Sequence, residues 1–208
     1  MNLSIPKRYK LLLTFGLVFL LLSFFVRISL YIWSFQNIDF SIINLFKIFL
    51  TGFFFDLGTV SFFLLPYGLY LLILPNRFVG NKLDKSITNF AFFIGLLIFI
   101  FSTFAEFTFW EEFKTRFNFI AVDYLVYTNE VVGNINESYP IPVLLSLVVG
   151  VVALIIFITK RMQIFATTFH FESTLKERLK ITSILIFVPI SSLVIPSSFS
   201  TPNSTGNP

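Results

Sequence analysis

Five long apolar stretches divide the sequence, and they constrain its fold more than any other feature. A helix needs about 20 apolar residues to cross the roughly 30 Å hydrocarbon core of a bilayer, where every backbone polar group must be satisfied internally. The stretches cover residues 11–35, 48–74, 87–109, 141–159 and 181–195, of which the last is the shortest. The sequence therefore predicts an all-α, polytopic membrane protein with about five transmembrane helices, which form a membrane domain over residues 1–195.

The composition is typical of a chain that meets lipid over much of its surface. Hydrophobic residues make up 56% of the 208 residues, charged residues only 12%, and Phe alone occurs 31 times. One soluble core of this size cannot bury that much apolar surface. Cysteine is absent, which excludes disulfides and thiolate metal sites. Lys and Arg fall in short clusters between the apolar stretches, and this pattern argues against nucleic acid as a partner.

Basic residues are distributed unequally between the two ends of the predicted helices. With a cytoplasmic amino terminus, the cytoplasmic segments hold eleven Lys and Arg residues, whereas the outer segments hold three, Lys47, Lys114 and Arg116. Cytoplasmic loops retain Lys and Arg, so we predict a plasma (inner) membrane protein with its amino terminus in the cytoplasm and its carboxyl terminus extracytoplasmic. The first stretch is too long for the apolar part of a cleaved signal peptide and is interpreted as a retained helix.

Residues 110–139, between the third and fourth stretches, combine acidic and aromatic side chains. Polar residues recur there at helical steps of four and three: Asp123, Tyr127, Glu130, Asn134 and Glu137. A helix would place them on one face, with Val and Leu residues opposite and aromatic anchors such as Trp110 at headgroup depth. We therefore predict an amphipathic helical segment that lies in the outer interface of the membrane.

The same acidic stripe has two sharper interpretations. Two carboxylates within reach of one bond could perform general acid and base chemistry, and Asp123, Glu130 and Glu137 could offer oxygen ligands to a metal. A solvated polar face uses the same residue types at the same spacing, and no His lies nearby. We therefore assign no catalytic, cofactor-binding or metal-binding residue within this chain.

Two ionisable residues lie inside apolar stretches, where an unpaired charge is costly: Arg27 in the first and Asp56 in the second. If these two helices form an antiparallel hairpin, the two side chains would meet as a buried pair. Such a pair either fixes the register of the helices or forms a polar pocket for a phospholipid headgroup or a proton. Gly52, Gly58, Pro66 and Gly68 interrupt the second stretch, which is consistent with close helix packing or a kink. Together with the charge pair, they suggest a stand-alone transporter or channel subunit as the alternative function.

Residues 196–208 are rich in Ser, Pro, Asn and Gly, a composition that cannot bury a core. This segment is predicted to be an extracytoplasmic linker. Two interpretations remain open for it. Either the chain is truncated before an extracytoplasmic domain, or the segment is an ordinary frayed terminus.

Several segments resemble the membrane region of a known family. These are Phe55-Asp56-Leu57, Phe63-Leu64-Leu65-Pro66, Phe109-Trp110-Glu111-Glu112-Phe113 and above all the run from Arg116 through Asn118, Asp123, Tyr127 and Glu130 to Tyr139. They are similar to the amino-terminal region of lipoteichoic-acid-synthase-like and phosphoglycerol-transferase-like proteins of the sulfatase and alkaline phosphatase superfamily. The resemblance implies five membrane helices, a linker and an extracytoplasmic α/β catalytic domain with a Thr nucleophile and a divalent, manganese-like metal.

That resemblance leads to the function we expect. The chain would be the membrane anchor of a phosphoglycerol transferase or a phosphate or sulfate ester hydrolase, inactive alone, because the catalytic domain and its metal would lie outside residues 1–208. Its partners would be the bilayer, a phospholipid headgroup and that missing domain. Docking of the domain, or a lipid groove, is assigned to the outer segment: Trp110, Arg116, Asn118, Asp123, Tyr127, Glu130, Asn134 and Glu137.

Overall fold

The computed structural model describes residues 6–35, 41–116 and 139–197, with side chains up to Ser192. All the regular structure in these residues is helical, which confirms the all-α prediction. The α-helices are α1 (Lys10–Trp33), α2 (Ile42–Ile73), α3 (Lys82–Phe113), α4 (Ile141–Arg161), α5 (Ile164–His170) and α6 (Leu175–Ser197). Short 3-10 helices at Lys7–Tyr9 and Asn76–Phe78 precede α1 and follow α2.

Four helical segments in the described residues are long and apolar enough to cross a membrane: Lys7–Trp33, Ile42–Ile73, Lys82–Phe113 and Ile141–Arg161. Their outward faces remain apolar, since Leu21, Phe62 and Ile73 are 67%, 68% and 78% exposed. Side chains of this kind require lipid around them. The described residues are therefore those of a multi-pass membrane protein by length and composition. α6 is not among the four, and its first turns carry four charged residues, Lys176, Glu177, Arg178 and Lys180.

Several helices extend beyond their predicted bounds. α2 begins at Ile42 rather than at residue 48. α3 begins at Lys82 because the Asn81 side chain caps it, accepting a hydrogen bond from the Asp84 backbone N–H at 2.7 Å. It continues through Trp110 to Phe113, where Lys114 takes a left-handed conformation with φ of 53°. The predicted interfacial segment 110–139 therefore starts inside α3, and its residues 117–138 lie outside the described residues.

The chain divides into two compact units, Met1–Val79 with His170–Pro208, and Gly80–Phe169. In the first unit α2 packs against both α1 and α6. Gly16 of α1 lies near Leu64 of α2, and Arg27 contacts Asp56, so α1 and α2 are antiparallel.

The helices α2 and α6 are also antiparallel. Gly58 lies against Ser192, and Gly68 lies against Leu185. A Cβ atom on Gly68 would be 2.6 Å from Leu185 Cδ1, and one on Gly58 would overlap the Ser192 side chain. The glycines therefore let the two helices approach closely, as small residues do in membrane helix pairs. Since α1 and α6 are both antiparallel to α2, they run in the same direction.

The second unit contains α3, α4 and α5. α3 and α4 pack against each other and are antiparallel, because Tyr139, which directly precedes α4, contacts Glu111 near the end of α3. The unit begins at Gly80, whose φ of +74° favours glycine, and a Cβ atom there would be 2.7 Å from the Phe169 carbonyl oxygen. The first and last residues of this unit are therefore in contact. α5 lies where the sequence analysis expected only a cytoplasmic loop.

Candidate functional site

Arg27 and Asp56 form the buried polar contact between α1 and α2. Arg27 Nη2 donates a hydrogen bond to Asp56 Oδ2 at 2.9 Å, and the two side chains are 6% and 12% exposed. The structure therefore brings together the two intramembrane charges that the sequence analysis singled out. Pairing with an opposite charge lowers the cost of an ionisable side chain inside an apolar helix.

Gly52 makes room for this ion pair. It precedes Asp56 by one helical turn, so both residues lie on the face of α2 that meets α1. A Cβ atom on Gly52 would overlap the Arg27 guanidinium. The α2 helix thus offers a recess for the flat guanidinium group and, one turn later, a carboxylate to accept its hydrogen bond. The sequence analysis noted Gly52 only as a helix interruption, because a recess becomes visible only when the partner helix is in place.

Chemically, this arrangement holds a fixed charge pair in an apolar setting. The aromatic rings of Phe24 and Phe49 pack edge to face beside it, with centroids 5.4 Å apart. A buried pair adds little net stability compared with apolar residues of the same shape, but loss of one partner leaves an uncompensated charge. Loss of either partner would therefore weaken the contact between α1 and α2.

The last turns of α3 contact the two residues that flank residues 117–138, Arg116 and Tyr139. Arg116 donates from Nε to Glu106 Oε1 and from Nη2 to Glu106 Oε2, the second at 3.2 Å. On the other flank, the Tyr139 hydroxyl donates to Glu111 Oε2 at 3.1 Å. Two glutamates of one helix thus bind the residues on either side of 117–138. Neither contact was predicted. Each joins a glutamate inside α3 to a residue that follows the helix, and the spacing of residues in the sequence does not indicate such a contact.

The pKa of Tyr139 is raised at this position. Burial raises the pKa of its hydroxyl above the ordinary value of 10.0, and the hydrogen bond to Glu111 raises that pKa further, since a carboxylate disfavours a phenolate beside it. The negative charges of Glu111 and Glu112 act in the same direction. The proton on Tyr139 therefore stabilises its contact with α3.

Of the predicted outer-segment residues, the structure describes Trp110 and Arg116. Trp110 lies in α3, and its Nε1 is buried with no hydrogen-bond partner among the described residues. The remaining predicted residues lie outside the described part of the chain: Asn118, Asp123, Tyr127, Glu130, Asn134 and Glu137. In the described ranges, no group of three or more His, Asp or Glu residues could hold a metal ion.

An apolar cavity of about 220 Å³ lies between α3 and α4, near the end of α3 that carries Glu106 and Glu111. Its lining is apolar except for Thr108, whose hydroxyl donates to the Ala105 carbonyl oxygen at 2.8 Å. The lining residues are Phe101, Phe104, Ala105, Thr108, Ile141, Leu144, Leu145 and Val148. Such a surface suits hydrocarbon and offers no free polar group for orienting a ligand.

Comparisons with known proteins add nothing to this description of the site. The chain matches no protein-family model, no curated protein and no solved structure.

Proposed function

We propose that this chain is the membrane domain that anchors, and positions lipid substrate for, an extracytoplasmic sulfatase-like phosphoglycerol transferase or hydrolase. The observation that carries the proposal is the similarity of the run Arg116–Tyr139 to the outer segment of lipoteichoic-acid-synthase-like proteins. In this proposal the chain crosses the plasma membrane five times. Residues 117–138 form an interfacial helix, and the catalytic domain with its manganese-like metal lies outside residues 1–208.

The directions of the helices support a fifth crossing by α6. α6 runs antiparallel to α2, and its first turn contacts the end of α2, where Arg178 donates to the Leu74 carbonyl oxygen. In the second unit the chain enters at Gly80 and leaves at Phe169, which are in contact, so α3 and α4 carry it out and back. α6 then runs towards the side on which α1 ends. With a cytoplasmic amino terminus, residues 196–208 emerge outside.

The outer end of α3 supports a docking or lipid-positioning role. The Glu106–Arg116 and Glu111–Tyr139 contacts hold both flanks of the outer segment to one helix. Positioning of a lipid headgroup needs such fixed points of attachment, because a group must be held in place to orient a substrate. The apolar cavity between α3 and α4 is lined by residues close to Glu106 in α3 and suits a hydrocarbon chain.

Two experiments test the proposal. The genomic reading frame after the Pro208 codon should encode a metal-binding, sulfatase-like domain, and a stop codon followed by unrelated sequence would contradict the proposal. Photo-crosslinkers at Tyr127 or Glu130 in membranes should label that domain or lipid. Labelling of cytoplasmic proteins alone would contradict both the topology and the role.

The topology itself can be measured directly because the chain contains no cysteine. Single substitutions Thr115→Cys and Ser204→Cys should react with an impermeant maleimide from outside the cell. The matched substitutions Asn76→Cys and Thr174→Cys should react only after the membrane is opened. Protection of Ser204→Cys in intact cells would eliminate the fifth crossing.

A stand-alone transporter or channel subunit is the second candidate. The observation that favours it is the Arg27–Asp56 pair, since intramembrane charge often marks an ion or proton path. Reconstituted vesicles would then show flux that Asp56→Asn abolishes. Equal background flux with and without the protein would eliminate this candidate.

A further inference from the structure

A second polar cluster, separate from the Arg27–Asp56 pair, lies where α1 begins, α2 ends and α6 begins. Its centre is Arg178, which is only 6% exposed. The Arg178 side chain donates from Nε to Ser173 Oγ at 3.0 Å, from Nη1 to the Leu74 carbonyl oxygen and from Nη2 to Asn76 Oδ1. All these acceptors are neutral. Within the described residues, no carboxylate forms an ion pair with Arg178.

The neighbouring glutamate does not supply the missing charge. The Glu177 carboxylate caps the start of α6, where it accepts hydrogen bonds from the Thr174 backbone N–H at 2.8 Å and from the Thr174 hydroxyl at 2.9 Å. A guanidinium has five N–H donors, and three of those on Arg178 are used. Two guanidinium donors therefore remain in a buried position, and no carboxylate of the described residues forms an ion pair with the guanidinium.

Two buried hydroxyl groups of the first unit, on Tyr9 and Thr182, also lack partners within the described residues. Tyr9 is fully buried, Thr182 is 3% exposed, and neither hydroxyl has a hydrogen-bond partner in the part of the chain that the structure describes. Tyr9 is close enough to Arg178, Arg8 and Glu177 for electrostatic interaction with all three. Thr182 follows Arg178 by one helical turn and so lies on the same face of α6.

The state of Thr182 is unusual within this protein. Helical threonines here ordinarily donate to the carbonyl oxygen four residues earlier, as Thr59 does to Phe55 at 2.9 Å and Thr159 to Ile155 at 2.7 Å. Thr182 does not make the equivalent bond and keeps its hydroxyl available. Buried hydroxyls without partners carry a desolvation penalty, so a ligand that accepts their protons would stabilise the fold.

We propose that Arg178, Tyr9 and Thr182 bind a single phosphate-type oxyanion, supplied either by a phospholipid headgroup or by free phosphate. A phosphodiester carries one negative charge and two unesterified oxygens, which together accept about four hydrogen bonds. Arg178 offers two donors and the hydroxyls two more, so charge and donor number both match. The site lies at the end of the first unit that the distribution of basic residues places in the cytoplasm. This inference does not depend on the proposed enzymatic function.

Thermal unfolding of the delipidated full chain in an uncharged detergent tests the site. The additions are phosphatidylglycerol, diacylglycerol with the same acyl chains, and inorganic phosphate against chloride at matched ionic strength. We expect phosphatidylglycerol to raise the Tm and diacylglycerol not to do so, because a ligand of the native state stabilises it. A rise with inorganic phosphate that matches the rise with phosphatidylglycerol would identify free phosphate as the source.

The deciding variant is Tyr9→Phe with Thr182→Val, which removes both available hydroxyls and keeps the shape of each side chain. Without added anion it should be at least as stable as the parent chain, since it loses two unpartnered groups. Its affinity for the anion should fall about tenfold or more. The matched control, Tyr31→Phe with Thr59→Val, removes the same atoms elsewhere in the first unit and should respond like the parent.

Arg77→Gln provides a charge control, because Arg77 is exposed at the same end of the unit and its guanidinium packs over the Phe78 ring. It should retain the anion response that Tyr9→Phe with Thr182→Val loses. Three results would overturn the proposal: no Tm rise with either phosphate source, an equal rise with diacylglycerol, or an undiminished response in the double variant. If the double variant does not fold, the Tm response of each single variant, Tyr9→Phe and Thr182→Val, is compared with that of the same control.

Discussion

The guanidinium of Arg27 lies directly against the backbone of Gly52, in a space that a single methyl group would fill. This contact determines how close α1 and α2 can come where the charge pair lies. We expect Gly52→Ala to displace the guanidinium and to destabilise the protein by about 1–3 kcal/mol, the cost of overpacking at a buried contact. Thermal unfolding in detergent measures the change.

Gly150→Ala is the matched control for this substitution. Gly150 also lies within a membrane helix, α4, but a Cβ atom there would have no neighbour within 4 Å. We expect Gly150→Ala to be neutral or to stabilise by up to about 1 kcal/mol through helix propensity. Equal effects of the two substitutions would mean that the Arg27 contact does not govern this interface.

A double-mutant cycle separates the worth of the Arg27–Asp56 pair from the penalty of breaking it. Arg27→Gln and Asp56→Asn should each destabilise strongly, by about 3–5 kcal/mol, because each leaves one buried charge behind. The double substitution leaves none, so it should cost less than the two single effects combined. Strict additivity in the unfolding free energies would show that the two side chains do not interact in the membrane.

The close packing of α2 against α6 gives a size-compensation test. Gly68→Ala should destabilise by about 1–3 kcal/mol, because the new methyl group would press on Leu185 Cδ1. Adding Leu185→Ala removes that atom, so the second substitution should cost less in the Gly68→Ala background than in the parent chain. The measurement is the unfolding midpoint of the parent, the two single variants and the double variant. An identical cost of Leu185→Ala in both backgrounds would contradict the contact between Gly68 and Leu185.

Tyr139 gives a pH-dependent test at the outer end of α3. Its pKa lies above 10.0 in the folded protein, so the protonated hydroxyl contributes stability that is complete below pH 10 and is lost as the pH rises through the higher folded value. Subtraction of the Tyr139→Phe titration from the parent, by phenolate absorbance, isolates this group. Glu111→Gln should lower the pKa of Tyr139, and Glu106→Gln, which alters the Arg116 contact instead, should leave it nearly unchanged.

The sequence was most informative about helix position and least informative about helix contacts. Apolar length identified the four candidate spans that the described residues contain, because only a helix can satisfy its backbone in lipid. The helix ends were less certain: α2 starts at Ile42 and α3 extends to Phe113. A helix can continue into polar residues that lie outside the apolar stretch, and hydropathy does not detect them as part of it. The contacts of Gly52 and Gly68 depend on partner helices, and no periodicity within one helix reveals them.

The candidate sites show the same division. The cost of intramembrane charge singled out Arg27 and Asp56 from the sequence, and the structure places them in contact. The Arg178 cluster was not predicted, because Arg178 looked like one more basic residue in a cytoplasmic segment. Its distinction is burial among neutral acceptors, two of which, on Leu74 and Asn76, lie about a hundred positions away in the chain. Only the antiparallel packing of α6 on α2 brings those acceptors to it.

That packing also governs how the protein is assembled during synthesis. The glycine-lined side of α2 receives α6, yet Leu74 and Arg178 are 104 residues apart in the chain. At a translation rate of about 5–20 residues per second, α2 enters the bilayer roughly 5–20 s before its partner emerges. Throughout that interval the groove at Gly58 and Gly68 must be occupied by lipid or by an insertion factor. Ribosome-bound intermediates arrested before α6 should therefore cross-link from this groove to whatever occupies it, and lose that cross-link once α6 is released.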